Sequence, residues 1–217
     1  MNNFIYIYGP DGAGKSTHSL LLTNKLRTSG HKVKRVCIRS NHYPFRVFWT
    51  FLKLVCGEQY VYPDGHALRI PKVAILRALS TFIIYVQLFN VLALVLITRI
   101  YLGLGYIVIA ERFVLDTYAD FLYFSDKFAG KKLAPCVLHI LLRFLPKNML
   151  FIYLDADYLS LRNRYKRRGT IPEPKDYVEL QRIVGRMFAR KFNGLMVFTP
   201  EYTIAQTHML ILRILKI

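Results

Sequence analysis

A chain of 217 residues that is 53% hydrophobic has the material for one α/β core, which excludes wholesale disorder. Three scattered cysteines, Cys37, Cys56 and Cys136, exclude a disulfide framework and a zinc site, and fit reduced thiols in a cytoplasmic protein. The formal charge of +18, from 31 Lys+Arg against 13 Asp+Glu, implies attraction to polyanions: nucleotides, nucleic acid or an anionic membrane.

In chain order, residues 4–8 form a short apolar, β-rich run that ends at Gly9 and reads as a buried parallel strand. A helix follows over 17–27, with Leu20, Leu21 and Leu26 on its core face and Gly30 as terminator. Residues 33–38 read as a second strand, and 41–69 as an aromatic, irregular stretch broken by Pro44, Gly57, Pro63 and Gly65. A long apolar helix is expected over 73–102 and a third strand over 106–110. Helical patterns follow at 115–125 and 135–144, then a fourth strand at 149–154. Basic helices at 158–168 and 175–192, a fifth strand at 195–198 and a closing helix at 204–215 complete the series.

Five strands separated by helices imply a five-stranded, mainly parallel sheet with helices on both faces, in a single domain over residues 1–217. The opening Met-Asn-Asn-Phe-Ile-Tyr-Ile-Tyr lacks the basic region of an export signal. The run 79–97 has 19 residues without a charge, and as a helix it would span roughly 28 Å, close to a bilayer core. Ser80, Thr81, Gln87 and Asn90 within it favour a helix buried between a sheet and other helices, apolar nearly all round.

Residues 9–16, Gly-Pro-Asp-Gly-Ala-Gly-Lys-Ser, are the most informative segment. The pattern G-x-x-x-x-G-K-[ST] sits between a strand and a helix, the context its chemistry requires. Glycines 9, 12 and 14 allow successive amides to turn inward on phosphate oxygens, and the helix start adds its positive dipole end. Lys15 is expected to bridge the β- and γ-phosphates, and Ser16 to ligate Mg²⁺. Glu111 and Arg112 follow the third strand at the carboxyl edge of the sheet, where ligands bind. Glu111 is expected to serve a metal-bound water and Arg112 to clamp phosphates, the alternative being an ordinary salt bridge.

On these residues the chain resembles the thymidylate kinase-like branch of the P-loop nucleoside monophosphate kinases. Residues 9–17 look like that family's Gly-x-Asp/Glu-Gly-Ala-Gly-Lys-Thr/Ser-Thr loop, and Glu111-Arg112-Phe113 like its Asp-Arg-Tyr element. Leu154-Asp155-Ala156 and the arginine-rich 161–169 look like its strand end and lid approach. The resemblance implies transfer of the γ-phosphoryl group of ATP, with Mg²⁺, to a nucleoside monophosphate, dTMP first. It implies a donor site of Gly9, Asp11, Gly12, Ala13, Gly14, Lys15, Ser16 and Thr17, with Asp11 also contacting the acceptor. Some members place an arginine where Gly12 stands here, so a short basic lid over about 162–176 must bring the catalytic charge. Arg164 and Arg168, four residues apart on one helix face, are the expected pair. Arg39 matches the position that holds the acceptor phosphate, with Arg46 a competitor.

The chain departs from the family where the acceptor should be read. Counting by the family spacing, Asn90 stands where the pyrimidine-reading arginine belongs, one turn after Gln87. These two amides either read an acceptor's polar edge or satisfy each other. Asp116 replaces the usual serine, Asp120-Phe121 the Tyr-Gln pair of the base pocket, and Thr-Ile-Pro-Glu-Pro-Lys-Asp the usual lid signature. The expected partners are nucleotides, with a homodimer through apolar helices possible. Competing readings are a kinase of a less polar acceptor, or a basic P-loop module that binds nucleic acid or membrane without turnover.

Overall fold

The computed structural model describes residues 3–37, 45–61, 67–124, 140, 142–146 and 148–215. The elements run β1 (Phe4–Tyr8), α1 (Lys15–Thr28), β2 (Val33–Cys37), α2 (Phe45–Cys56), β3 (Gly57–Val61) and β4 (Ala67–Pro71). Next come α3 (Val73–Ala78), α4 (Ser80–Gly103), β5 (Ile107–Glu111), α5 (Val114–Phe124) and β6 (Met149–Asp155). The series ends with α6 (Tyr158–Arg168), α7 (Lys175–Lys191), β7 (Leu195–Phe198) and α8 (Ile204–Leu215).

Five strands form one sheet in the order β2-β5-β1-β6-β7, and every pairing in it is parallel. This is the α/β architecture expected from the alternation of strands and helices. The central strand β1 shows how the sequence builds it. Its side chains alternate between faces, so Phe4, Tyr6 and Tyr8 enter an aromatic layer with Phe113, Phe151 and Tyr153 beneath α4, α5 and α7. Ile5 and Ile7 enter an aliphatic layer with Ile109, Ile152 and Leu154 beneath α1 and α8. The buried tyrosine hydroxyls are satisfied: Tyr8 donates to Gln181 O at 3.1 Å, and Tyr6 donates to Asp116 at 2.8 Å.

Several expectations are corrected. The stretch 41–69 is not irregular where described, because α2 and the antiparallel hairpin β3–β4 occupy most of it. The helix expected over 73–102 is broken at Leu79, where Ser80 Oγ donates to Arg77 O at 2.9 Å and competes with the backbone ladder. In α1 the buried face is set by Lys15, Ser19, Leu22 and Leu26, while Leu20 and Leu21 are exposed. The helix expected at 135–144 lies largely outside the described residues. Helix α4 is not covered all round: one face packs on the sheet and α5, and the opposite face exposes Phe82, Tyr85, Phe89, Leu96 and Ile100.

Candidate active site

The loop after β1 is shaped by close approach and by backbone sign. A Cβ on Gly9 would lie 2.2 Å from Leu154 O, so the chain crosses the end of β6 only as glycine. Gly14, at φ 101°, is the N-cap of α1 and leaves the first amides of that helix without helical acceptors. These amides open on a cavity of about 660 Å³. Asp11, Lys15, Ser16, Arg35, Glu111 and Arg112 line it from the sheet side, and Tyr165, Arg168, Thr170, Ile171 and Glu173 from the facing segment.

Lys15 is buried, and its ammonium donates to Gly9 O at 2.6 Å, Pro10 O at 2.9 Å and Asp11 Oδ1 at 3.1 Å. Asp11 also pairs with Arg112. Burial would raise the Asp11 carboxyl, but Lys15 and Arg112 outweigh it and hold it at about 2. Arg112 has a left-handed backbone, φ 47°, unusual for a side chain of this size. That turn sends the two neighbours apart: Arg112 pairs with Asp11, and Glu111 accepts from Arg35 Nε at 3.1 Å and from its Nη2. The alternative of an ordinary salt bridge thus takes the form of two pairs, Glu111 with Arg35 and Arg112 with Asp11, rather than one between these neighbours.

Burial would likewise raise the Glu111 carboxyl, yet Ser19, Arg35 and Ser16 lower it below the ordinary carboxylate range. An ionised carboxylate beside the Ser16 hydroxyl is an oxygen donor set that suits Mg²⁺, which takes one or two protein oxygens and completes its shell with phosphates and water. Among the described residues no group of three or more His, Cys, Asp or Glu is placed to hold a metal unaided.

Helix α6 is latched to the loop. Arg164 donates to Gly12 O at 2.9 Å and to Thr199 Oγ1 at 3.1 Å, and Tyr165 donates to Asp11 O at 2.8 Å. With these two bonds Arg164 lines a second cavity of about 240 Å³, which Arg168 shares, and of the two only Arg168 also lines the main cavity. That second cavity runs past Gly12, Ala13, Gly14, Thr17 and His18 toward Thr199 and Tyr202. Arg162, Lys166 and Arg167 are exposed and line neither cavity.

Of the acceptor-side residues, Arg39 lies outside the described residues. Asp116 does not line the main cavity; its carboxylate accepts from Phe113 N at 3.0 Å at the start of α5 and from Tyr6. Burial raises it to about 6. Gln87 is buried on α4 with no partner for Oε1, so it and Asn90 do not satisfy each other through that oxygen.

Sequence reasoning missed Arg35, Tyr165 and Glu173. Arg35 carried a signal, a cation two residues before the end of a strand beside the loop. Glu173 carried none, because it reaches the cavity from the extended link between α6 and α7. One of its carboxylate oxygens is buried without a partner, and burial together with nearby Asp11 raises the group to about 8.

The architecture is an α/β fold: a five-stranded parallel sheet with helices on both faces and a glycine-rich loop joining its central strand to α1. No protein-family model matches the chain, and no curated protein sequence matches it. Among solved structures, it is similar to the YorR protein from Bacillus subtilis, crystallised in complex with phosphorylated GDP. The TM-score is 0.55 at 18% identity, over 98% of this chain and 95% of that one. At that identity the likeness establishes the fold alone.

Proposed function

We propose that the chain is an ATP-dependent kinase that transfers a γ-phosphoryl group to a nucleoside monophosphate, with dTMP to dTDP the first reaction to test. The observation that carries this reading is the meeting, in one cavity, of the phosphate loop, Lys15, Arg112 and Arg168. Phosphoryl transfer spreads negative charge over oxygens, so positioned cations and amides account for most of its catalysis. The loop amides and Thr17 hold the donor phosphates, and Lys15 exchanges its loop carbonyls for phosphate oxygens. Asp11 sits between Lys15 and Arg112 and orients both. Arg168 supplies charge from the lid side, while Arg164 fixes the loop against α6. Ser16 and Glu111 are the residues that would hold Mg²⁺, which neutralises charge on the phosphate oxygens when bound. On the acceptor side, Arg39 is assigned to the phosphate and Gln87, Asn90 and Asp116 to the base or its surroundings.

A different acceptor on the same donor site is favoured by one observation. The only charged residue of α4 is Arg99, which is exposed, so the inward polar groups on that helix are all uncharged: Ser80, Gln87 and Thr98. The YorR structure, solved with phosphorylated GDP, adds guanine nucleotides to the panel. The test is coupled ADP release with ATP·Mg²⁺ and dTMP, dUMP, CMP, AMP and GMP in turn. Acceptor-dependent turnover that is lost in Lys15→Ala supports the proposal. Equal ADP release with and without every acceptor sinks it.

A further inference from the structure

The outward face of α4 joins two features that the site leaves unused. Phe82, Tyr85, Phe89, Leu96 and Ile100 lie within roughly 60° of one another around the helix and extend for roughly 27 Å along it. Tyr85 and Phe89 are 67% and 70% exposed, so this is an apolar stripe in solvent. At its N-terminal end Phe82 packs edge-on against Phe48 of α2, with ring centroids 5.4 Å apart. Helix α2 carries its own outward apolar row, Val47, Phe51, Leu54 and Val55. The sequence between 45 and 104 carries Arg46, Lys53, Arg69, Lys72, Arg77 and Arg99 against Glu58 and Asp64. Arg69, Lys72, Arg77 and Arg99 are exposed.

We propose that this face is a docking surface for an anionic lipid bilayer, on which α4 and α2 lie in the plane of the headgroups. Exposed aromatic and aliphatic side chains flanked by cations are the chemistry of an interfacial helix, in which apolar burial and attraction to anionic headgroups act together. Charge decides between a bilayer and a second copy of this chain. A second copy brings another net charge of +18 against the first, whereas an anionic surface reverses the sign of that interaction. Burial decides between lying on the membrane and crossing it. Among the described residues α4 is the one helix long and apolar enough to span a bilayer. Its inner face, however, is committed: Ile84, Gln87, Val91, Val95 and Thr98 are buried, and the helix packs on β5 and α5. Crossing would strip that face from the sheet; lying flat leaves it in place.

The full chain is tested by flotation with phosphatidylcholine vesicles with and without phosphatidylserine, at low and high salt. Flotation with the serine-containing vesicles alone, reversed by salt, is expected. Phe89→Ser combined with Leu96→Ser is expected to weaken binding about tenfold or more, and Arg77→Gln with Arg99→Gln several-fold, with nucleotide binding unchanged in both. A concentration-dependent dimer that the apolar double variant abolishes, without vesicle binding, would seat a second copy on the face and overturn the proposal. So would binding to anionic vesicles, or to duplex DNA in their place, that the apolar double variant leaves untouched.

Discussion

At the residue scale, the cavity contrasts two carboxyls that the same surroundings push in opposite directions. Asp11 lies between two cations and is held at about 2, whereas Glu173 faces Asp11 from a buried position and is raised to about 8. Below its ordinary value of 4.5 Glu173 is protonated whether the chain is folded or not. Above it the unfolded chain loses the proton while the folded chain keeps it, so this contribution to stability is full below 4.5 and is lost as pH rises through 8. Glu173→Gln removes that loss. The variant should gain stability relative to the natural chain between pH 5 and pH 8, read as a growing gap in urea midpoint; a gap that stays constant with pH would refute the assignment. Lys15 makes a simpler case. Lys15→Ala removes the one ammonium at the loop and should lower acceptor-dependent kcat by about a hundredfold or more. Its fold should persist, because the partners it leaves are loop carbonyls and Asp11, which keeps Arg112. Gln87→Leu separates two roles. If the amide only sits unpaired in the core, the variant melts higher with kinetics unchanged; a raised acceptor KM is the result expected if it reads the acceptor.

At the scale of elements, α6 acts through the loop it touches. Tyr165 Oη and Arg164 hold the carbonyls of Asp11 and Gly12, two residues that line the main cavity. Tyr165→Phe should raise the KM for ATP several-fold with little change in melting temperature, since it removes one hydrogen bond and leaves the packed ring in place. An unchanged KM would mean that the loop holds its shape without the latch. This linkage was half legible in the sequence. The arginine-rich 161–169 segment is visible in the sequence, but which arginine reaches which cavity depends on where α6 docks: Arg164 and Arg168 both line the smaller one, and Arg168 also the main one. Elements with a strict pattern were read closely, as β1, β6 and β7 show. The stretch 41–69 reads as irregular when its breakers Pro44, Gly57, Pro63 and Gly65 are weighed above the helical apolar period that 45–56 carries. Its helix is set by an apolar face packed on α4, its hairpin by β3–β4 pairing across the sequence. The place of the 9–16 loop between β1 and α1 is legible in the sequence because its pattern is contiguous. The Arg112–Asp11 and Arg35–Glu111 pairs are not, since they join segments separated by tens of residues.

At the scale of the whole molecule, the large positive charge includes cations at the cavity, cations around α2 and α4, and cations consumed in the fold. Helix α7 shows the third. Its Arg182 and Arg186 converge on Asp155 at the end of β6, with donor–acceptor distances of 2.9 Å each, and Arg182 also pairs with Glu179. A helix that reads as basic in the sequence therefore spends two of its arginines on one buried carboxylate. Tyr153 donates to the same carboxylate, and the backbone carbonyl of Asp155 accepts from Thr199, so the residue ties β6, α7 and the turn after β7 into one unit. Burial would raise Asp155, but these partners lower it, and its stabilising effect is present above the ordinary value of 3.8 and fades as pH falls below it. Asp155→Ala should cost about 3 kcal/mol at pH 7, because it leaves the largely buried guanidinium of Arg182 with only Glu179. The deficit against the natural chain, read from urea unfolding, should narrow as pH falls below 3.8, because the unfolded chain takes up a proton there that the lowered native carboxylate still refuses. If the deficit is the same at pH 3 as at pH 7, packing rather than charge holds this junction together.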